Sequence, residues 1–233
     1  MPDTAPLLTP RLQQIADMVI PCKTVADIGT DHGYLPVYLC MKGKAEVAIA
    51  SDIRKGPLSR ADATIARYHM QEKVQTRLGS GADPLSAKEA DCIVIAGMGG
   101  LMIADILKAH PEVFGQAKQI LLQPMSSIPE LRSLLFDLGY TILSETLAKE
   151  GQKLYHILSV TARKEPDPPT ALEFFFGRNL LHDRPEHFDE YIRKQKRKLT
   201  RMAEGLKQSE SPDAALRLIE IQTLLSVQEE YLC

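Results

Sequence analysis

"YTILSETLAKEGQKLYHILSVTA" (residues 140–162) holds two runs of β-branched, aromatic and aliphatic side chains around a turn at Gly151. That pattern predicts a hairpin of two antiparallel strands. Upstream the pattern is different. Strand-like runs at "TVADIG", "EVAIASDI", "VQTRL", "ADCIVIAGMGG" and "KQILLQPM" alternate with helical stretches at residues 8–20, "YLPVYLCMKG", "GPLSRADATIARYHM", "LMIADILKAH" and "SIPELRSLLFDLG". Strands that alternate with helices build a parallel sheet covered on both faces. A parallel sheet closed by a hairpin has one antiparallel strand, which a dinucleotide-dependent dehydrogenase does not usually build.

Composition sets outer limits. The chain has 233 residues, 44% of them hydrophobic, enough for one full α/β domain and a smaller appendage. Its net charge of −2 advertises no polyanion, so any basic surface must be local. Cys22, Cys40, Cys92 and Cys233 lie far apart, with no CxxC and no Cys–His spacing suited to zinc, so no metal site is expected. They read as ordinary thiols of a reducing compartment. No leader-like segment and no apolar run of membrane-spanning length stands out. The expectation is a cytoplasmic protein without a membrane partner, and a monomer.

After the hairpin the composition shifts. "RKEPDPPT" (163–170) cannot continue a strand or a helix and reads as a linker. It separates an expected catalytic domain at 1–162 from a helical domain at 171–233. That second part contains three helical stretches, "ALEFFFGRNLLHD", "PEHFDEYIRKQKRKLTRMAEGLKQ" and "SPDAALRLIEIQTLLSVQEEYL". Phe188, Ile192, Gln195, Leu199, Met202 and Leu206 alternate steps of four and three, and Ala215, Leu218, Gln222, Leu225, Glu229 and Leu232 form a related stripe. Two such stripes predict an antiparallel, coiled-coil-like helical hairpin.

Four strand ends carry the chemistry. The first strand runs into Asp27-Ile28-Gly29-Thr30-Asp31-His32-Gly33, where glycines let the backbone approach a ligand and a helix N-terminus follows. Asp52 ends the second strand, where a carboxylate can take both hydroxyls of a ribose. "LGSGAD" and "AGMGG" follow two later strands. All four lie at the carboxyl ends of parallel strands, the edge at which open α/β sheets bind ligands. Neither GxGxxG nor the phosphate-binding GxxxxGK[ST] is present, which argues against a dinucleotide or a nucleoside triphosphate.

"ADIGTDHGYLP", "IAGMGG", "LLQPM" and the closing hairpin together resemble the bacterial tRNA (adenine-22-N1)-methyltransferase family, over essentially the whole chain. The resemblance implies a class I methyltransferase, Rossmann-like seven-stranded sheet, S-adenosylmethionine as cofactor and tRNA as substrate. It implies that Asp27, Gly29 and Gly33 line the methionine side of the cofactor and that Asp52 holds its ribose. It also implies that Gly79, Ser80 and Gly81 border the adenine, and that Ala96, Gly97 and Met98 close the site near the methyl group. Two departures from the wider class stand out. Ser80 occupies the third loop, where many class I enzymes carry an acid for the cofactor's adenine amine, Asp83 being the nearest acid here. The Asn-Pro-Pro-Tyr type motif of amino-methylating enzymes is also missing, which disfavours an exocyclic amine as nucleophile.

Asp31 stands where the wider pattern has a glycine. Adenine N1 has a free lone pair and yields a cationic product, so the carboxylate reads as a catalytic anion that stabilises developing charge and orients the base. Capping the next helix is the competing reading. His32 and Tyr34 are substrate-side candidates that would serve equally well in packing, and Gln123 opens a loop suited to substrate. The dense basic run "RKQKRKLTR" presents Lys194, Arg197 and Arg201 on one helix face as RNA contacts. Arg11, Arg54, Lys55 and Arg60 are the next cationic candidates. A small-molecule methyltransferase would not need that basic appendage. A non-catalytic RNA-binding protein would not need Asp27, Asp52 and both later glycine loops.

Overall fold

The computed structural model describes residues 4–164, 167–208 and 211–228. Strands β1 (Cys22–Ile28), β2 (Ala45–Asp52), β3 (Val74–Leu78), β4 (Cys92–Met98) and β5 (Gln119–Pro124) are parallel neighbours in the order 3-2-1-4-5. β6 (Thr141–Glu150) and β7 (Lys153–Thr161) form the hairpin, with β7 lying antiparallel between β5 and the edge strand β6. Seven strands with a helical C-terminal part are what the sequence predicts.

The central strands are apolar on both faces because helices cover both. Val25, Cys92, Val94 and Leu121 point to one side and pack with α1 (Pro10–Met18), α2 (Tyr34–Met41) and α3 (Lys55–Arg67). Ala26, Ile28, Ile93, Ile95, Ile120 and Leu122 point to the other. There they meet α4 (Gly100–Ala109), the single turn α5 (Pro111–Phe114) and α6 (Ile128–Asp137). Burial pushes the Cys22 and Cys40 thiols up to about 11 and Cys92 higher still, so none of the three is a nucleophile at neutral pH.

The strand order reverses between β1 and β4, which opens a crevice above their carboxyl ends. The hairpin adds to that edge. Leu122 pairs with Leu158 and Ile120 with Val160, so the start of β7 and the turn at Gly151 and Gln152 sit beside the end of β5.

The C-terminal helices are α7 (Ala171–Phe176), α8 (Arg178–Asp183), α9 (Phe188–Leu206) and α10 (Pro212–Gln228). Residues 171–183, read from sequence as one helical stretch, break at Gly177. The reason lies in the joint beneath. A Cβ at Gly177 would stand 2.6 Å from Glu145 Oε2 and 2.9 Å from Arg132 Nη2, and its φ is +97°. Arg132 donates to both Glu145 oxygens, at 3.1 and 2.6 Å, and to the Phe174 and Phe175 carbonyls. His156 Nδ1 lies 2.7 Å from Glu145 Oε1, and its ring meets the Tyr191 ring edge-on at 4.9 Å. Burial alone would raise Glu145, yet Arg132 and His156 hold its carboxyl below the usual range. This buried cluster ties α6, β6, β7 and the first helical turns together.

The α9 stripe is buried as predicted at Phe188, Ile192 and Leu199, but only part of it faces α10. Phe188, Tyr191 and Ile192 share a cluster with Leu147 of β6, Phe176 and Leu180. The α10 stripe holds at Leu218 and Leu225, but its alternate positions sit one residue earlier than the spacing suggests. Ala214 and Ile221 are buried with Leu218 and Leu225 against them, while Ala215 and Gln222 are exposed. The apolar residues Leu216 and Ile219 obscured that phase, because they face solvent at 64% and 60% exposure. Glu165 and Pro166 of the linker, and Glu229, Leu232 and Cys233, lie outside the described residues.

Candidate active site

The crevice is built by backbone continuity past the strand ends. Gly29 and Thr30 donate N–H to Ser51 O, at 2.7 and 2.9 Å, and Gly79 donates to Asp52 O at 3.1 Å. These bonds carry the ladder into the three loops and hold Asp27 and Asp52 at its rim. On the other side, Ala96 pairs with Gln123 and Met98 with Pro124, with a bulge at Gly97 between them. A bulge re-aims the loop that follows a strand. Met98 reaches across so closely that a Cβ on Gly29 would overlap its methyl at 2.1 Å. Gly79, Ser80 and Gly81 lie on the β3 side of the crevice, and Gly81 faces Ile106 of α4. Gly33 caps α2 in the left-handed conformation, φ +67°, and a Cβ there would press on Ala61 of α3 at 3.0 Å. Its glycine is explained by that helix–helix approach.

Two acids mark the crevice floor. Asp27 is buried, and burial pushes its carboxyl up to about 6. The Thr30 hydroxyl and the Arg11 guanidinium pull it down, while Asp52 adds to the rise. Burial outweighs both, and Asp27 has no ion-paired cation among the described residues. Asp52 Oδ1 accepts the Arg54 N–H at 2.7 Å and lies 3.6 Å from Arg54 Nε. Its second oxygen makes no hydrogen bond among the described residues.

Asp31 stands apart from these. It is 58% exposed and paired with Arg60 of α3 and with His32, whose Nε2 is 3.4 Å away. The Arg60 hydrogen bond holds its carboxyl below the usual range. No side chain caps α2, so Asp31 does not serve as its cap. His32 and Tyr34 stack with ring centroids 5.4 Å apart and planes 11° off parallel, forming a half-exposed aromatic step beside Asp31.

Gln123 is fully buried and spends its amide inside the protein. Its Oε1 accepts from Arg11 Nη1 at 2.6 Å and from Gly97 N at 3.1 Å, and its Nε2 donates to Pro124 O. It braces the loop and offers no surface to a substrate, contrary to its expected role. Arg11, singled out from sequence only as a reserve RNA contact, proves to be an inner residue, and its guanidinium also lies 5.6 Å above the Tyr155 ring. Arg60 is likewise spent on Asp31. No spacing signal marks either contact, since 112 and 29 residues separate the partners.

Lys194 is an anchor. Its ammonium donates to Gln152 O at 2.8 Å and pairs with Glu190 at 2.9 Å, while Lys149 of β6 pairs with Glu190 from the other side. The two lysines pull the Glu190 carboxyl down to about 2. Arg197 and Arg201, like Arg193 and Lys198, are exposed. The anchor seats α9 on the hairpin turn, at the same sheet edge as the glycine loops.

Residues 8–158 match the methyltransferase domain family. The tRNA (adenine(22)-N(1))-methyltransferase of Bacillus subtilis is 35% identical over 155 residues, which are 66% of this chain and 65% of that protein. The chain belongs to the methyltransferase domain family. In sequence, the match spans just under two thirds of the Bacillus subtilis relative's length. In fold it runs further. The crystal structure of the Bacillus subtilis m1A22 tRNA methyltransferase superposes with a TM-score of 0.86 at 27% identity, covering 97% of this chain and 99% of that one. A Streptococcus pneumoniae protein solved in complex with S-adenosyl-L-methionine gives 0.85 at 28% identity, covering 97% and 100%. The donor set suits such a ligand: a buried acid with no ion-paired cation among the described residues for a cationic end, and a second acid with a free oxygen for a diol.

Proposed function

We propose that this protein transfers the methyl group of S-adenosylmethionine to N1 of an adenine in tRNA, at position 22 as in its Bacillus subtilis relative. The observation that carries the reading is the convergence of Asp27, Asp52 and the Gly79–Gly81 and Ala96–Met98 loops on one sheet edge, within a chain of this family. When bound, S-adenosylmethionine supplies an electrophilic methyl on a sulfonium centre. Asp27, Gly29 and Gly33 take its methionine end, and Asp52 holds its ribose hydroxyls. Gly79, Ser80 and Gly81 border its adenine, and Ala96, Gly97 and Met98 enclose the reacting end.

Adenine N1 attacks with its lone pair, so no side chain has to remove a proton first. The base becomes cationic, and a nearby carboxylate lowers the energy of that developing charge. Asp31 fills this role, with His32 and Tyr34 offering the base a flat surface. The Arg60 pair keeps Asp31 ionised without binding it strongly, because pairs this exposed are worth only about 0.2–1 kcal/mol. An RNA phosphate arriving beside α3 competes for Arg60 and leaves the Asp31 charge for the base. The unit formed by residues 1–162 is the catalytic domain, 163–170 the linker, and 171–233 the tRNA-contacting domain, in a cytoplasmic monomer. Exposed Arg197 and Arg201 contact phosphates, while Lys194 positions their helix.

The test is incubation with labelled S-adenosylmethionine and bulk bacterial tRNA, followed by nucleoside analysis. 1-Methyladenosine is the expected product, and label in another nucleoside or in none overturns the reading. Asp31→Ala keeps its fold and cofactor affinity but loses at least roughly a hundredfold in methyl transfer. Normal turnover of that variant removes Asp31 from catalysis.

A further inference from the structure

A guanidinium without an acid lies beside the Gly97 bulge. Arg11 is the second residue of α1, and it is partly buried. It donates to Gln123 Oε1, and it makes no other hydrogen bond and no ion pair among the described residues. The guanidinium has further N–H groups to give. A cation that has left part of its water without gaining an acid is costly until a ligand supplies the anion.

The surroundings of Arg11 say which anion. Val25, Leu121 and Ile157 pack in the cluster beneath α1, so strand alternation turns Asp27, Gln123 and Tyr155 to that same face. Arg11 lies across it. Its Cζ stands 5.6 Å above the Tyr155 ring, and its Nη1 is 3.8 Å from where a Cβ on Gly97 would be. Its charge also reaches Asp27 and lowers that carboxyl, yet the two form no ion pair among the described residues. The other cations near the crevice are engaged, Arg54 beside Asp52 and Arg60 with Asp31.

Resting on the reading that Asp27 takes the methionine end of the cofactor, we infer that Arg11 binds the carboxylate of that end and that Gln123 positions Arg11 for it. An α-amino acid carries its ammonium and its carboxylate on one carbon, so a site for it presents an acid and a cation side by side but held apart. Asp27 and Arg11 are such a couple, opposite charges that sense each other without closing on each other. The ligand supplies the partner that each lacks, and a guanidinium is well matched to a carboxylate. The Gln123 oxygen that fixes Arg11 at 2.6 Å also accepts from Gly97 N at 3.1 Å. Recognition of the amino-acid end and the placement of the Ala96–Met98 loop therefore share one buried side chain. A nucleoside that lacks the amino acid leaves Arg11 as it stands, without an anion.

The test is titration calorimetry, without tRNA, of S-adenosylmethionine and of its decarboxylated form. The two ligands share the sulfonium and the ammonium and differ only in the carboxylate. The wild-type protein is expected to bind the full cofactor roughly ten- to a hundredfold more tightly, the worth of a hydrogen bond between charged groups. Arg11→Met keeps a side chain over Tyr155 and removes the charge, which brings the two affinities together by weakening the full cofactor alone. Gln123→Glu leaves Arg11 in place but gives it an acid of its own, and it narrows the preference with position 11 untouched. Equal affinity of the wild-type protein for the two ligands overturns the inference, and so does a preference that both variants retain. Equal loss of both ligands in Arg11→Met overturns it too, because Arg11 then only braces Gln123. A drop in tRNA binding with the ligand preference intact returns Arg11 to the RNA. Failure of the wild-type protein to bind either ligand defeats the reading of the crevice itself, a result distinct from each of these.

Discussion

Replacing Asp27 by asparagine separates stability from cofactor binding. Burial raises this carboxyl from 3.8 to about 6, roughly two pKa units. At 1.36 kcal/mol per unit that amounts to about 3 kcal/mol. The sign follows from which state holds the proton more tightly. The folded protein does, so the stabilisation is complete below the unfolded value near 3.8 and is lost as pH rises through about 6. Above pH 6 the fold carries an ionised acid in a poorly solvated crevice. Asparagine keeps the shape and removes the titration. Asp27→Asn is therefore expected to be more stable than the parent at pH 7.5 by up to ~3 kcal/mol, or roughly 6–12 °C in Tm for a chain of this size. At pH 4 the two proteins should differ little.

Cofactor binding should move the opposite way. A ligand ammonium beside Asp27 restores the missing charge partner, so the parent binds S-adenosylmethionine more tightly above pH 6 than below. The asparagine variant loses that dependence and a charge-assisted hydrogen bond worth about 1.5–3 kcal/mol. Scanning calorimetry at two pH values and titration calorimetry with S-adenosylmethionine read both effects. An asparagine variant no more stable than the parent at pH 7.5, or one with parental affinity, refutes the reasoning.

Three further outcomes follow from the same geometry. Asp52→Ala weakens S-adenosylmethionine binding by about 1.5–3 kcal/mol per hydrogen bond lost, and unchanged affinity in calorimetry removes Asp52 from the site. Reversing Arg197 and Arg201 to glutamate weakens tRNA binding and flattens its dependence on salt without altering cofactor affinity, as filter binding across several salt concentrations will show. Lys194 is left in place because reversing it breaks the Gln152 and Glu190 anchor. Arg132→Met leaves the Glu145 charge buried beside His156 and costs roughly 3–5 kcal/mol in chemical denaturation, with proteolysis expected first in α7 and α8.

Local pattern carried the sheet and the positions of the glycine loops. β1, β2 and β4 are short apolar runs that end at a glycine or an acid, and local pattern alone reveals such runs. Side-chain partners across the fold left no such mark. Gln123 at the end of β5 looks in sequence like the start of a substrate loop, and only its pairing with Ala96 shows it turned inward. The break at Gly177 depends on Arg132 and Glu145, 45 and 32 residues upstream, which no window of local sequence brings together. Half of the α10 stripe, Ala215 and Gln222, was misplaced by one residue for a related reason. Apolar residues at 216 and 219 carry the same local signal as those at 218 and 221, and the difference is set by where α9 lies.

The antiparallel strand is what brings the basic helix to the edge that carries the glycine loops. Because β7 runs against β5, its first residues and the turn at Gly151 stand at the crevice, and the chain leaves Thr161 at the far edge of the sheet. There β6 is an edge strand whose open hydrogen-bonding side invites aggregation unless something covers it. The C-terminal helices cover it on their way back. Asn179 Nδ2 donates to Leu143 O at 3.1 Å, Leu147 packs with Phe176 and Leu180, and Lys149 pairs with Glu190. Following β6 toward the end that meets the turn, α9 arrives where Lys194 can reach the Gln152 carbonyl. The cover that protects the edge strand thus carries Arg197 and Arg201 with it, on the helix that Lys194 fixes to the hairpin turn beside the glycine loops. The placement of the basic helix therefore follows from how the sheet protects its own edge, and the helix needs no hinge of its own to reach the glycine-loop edge.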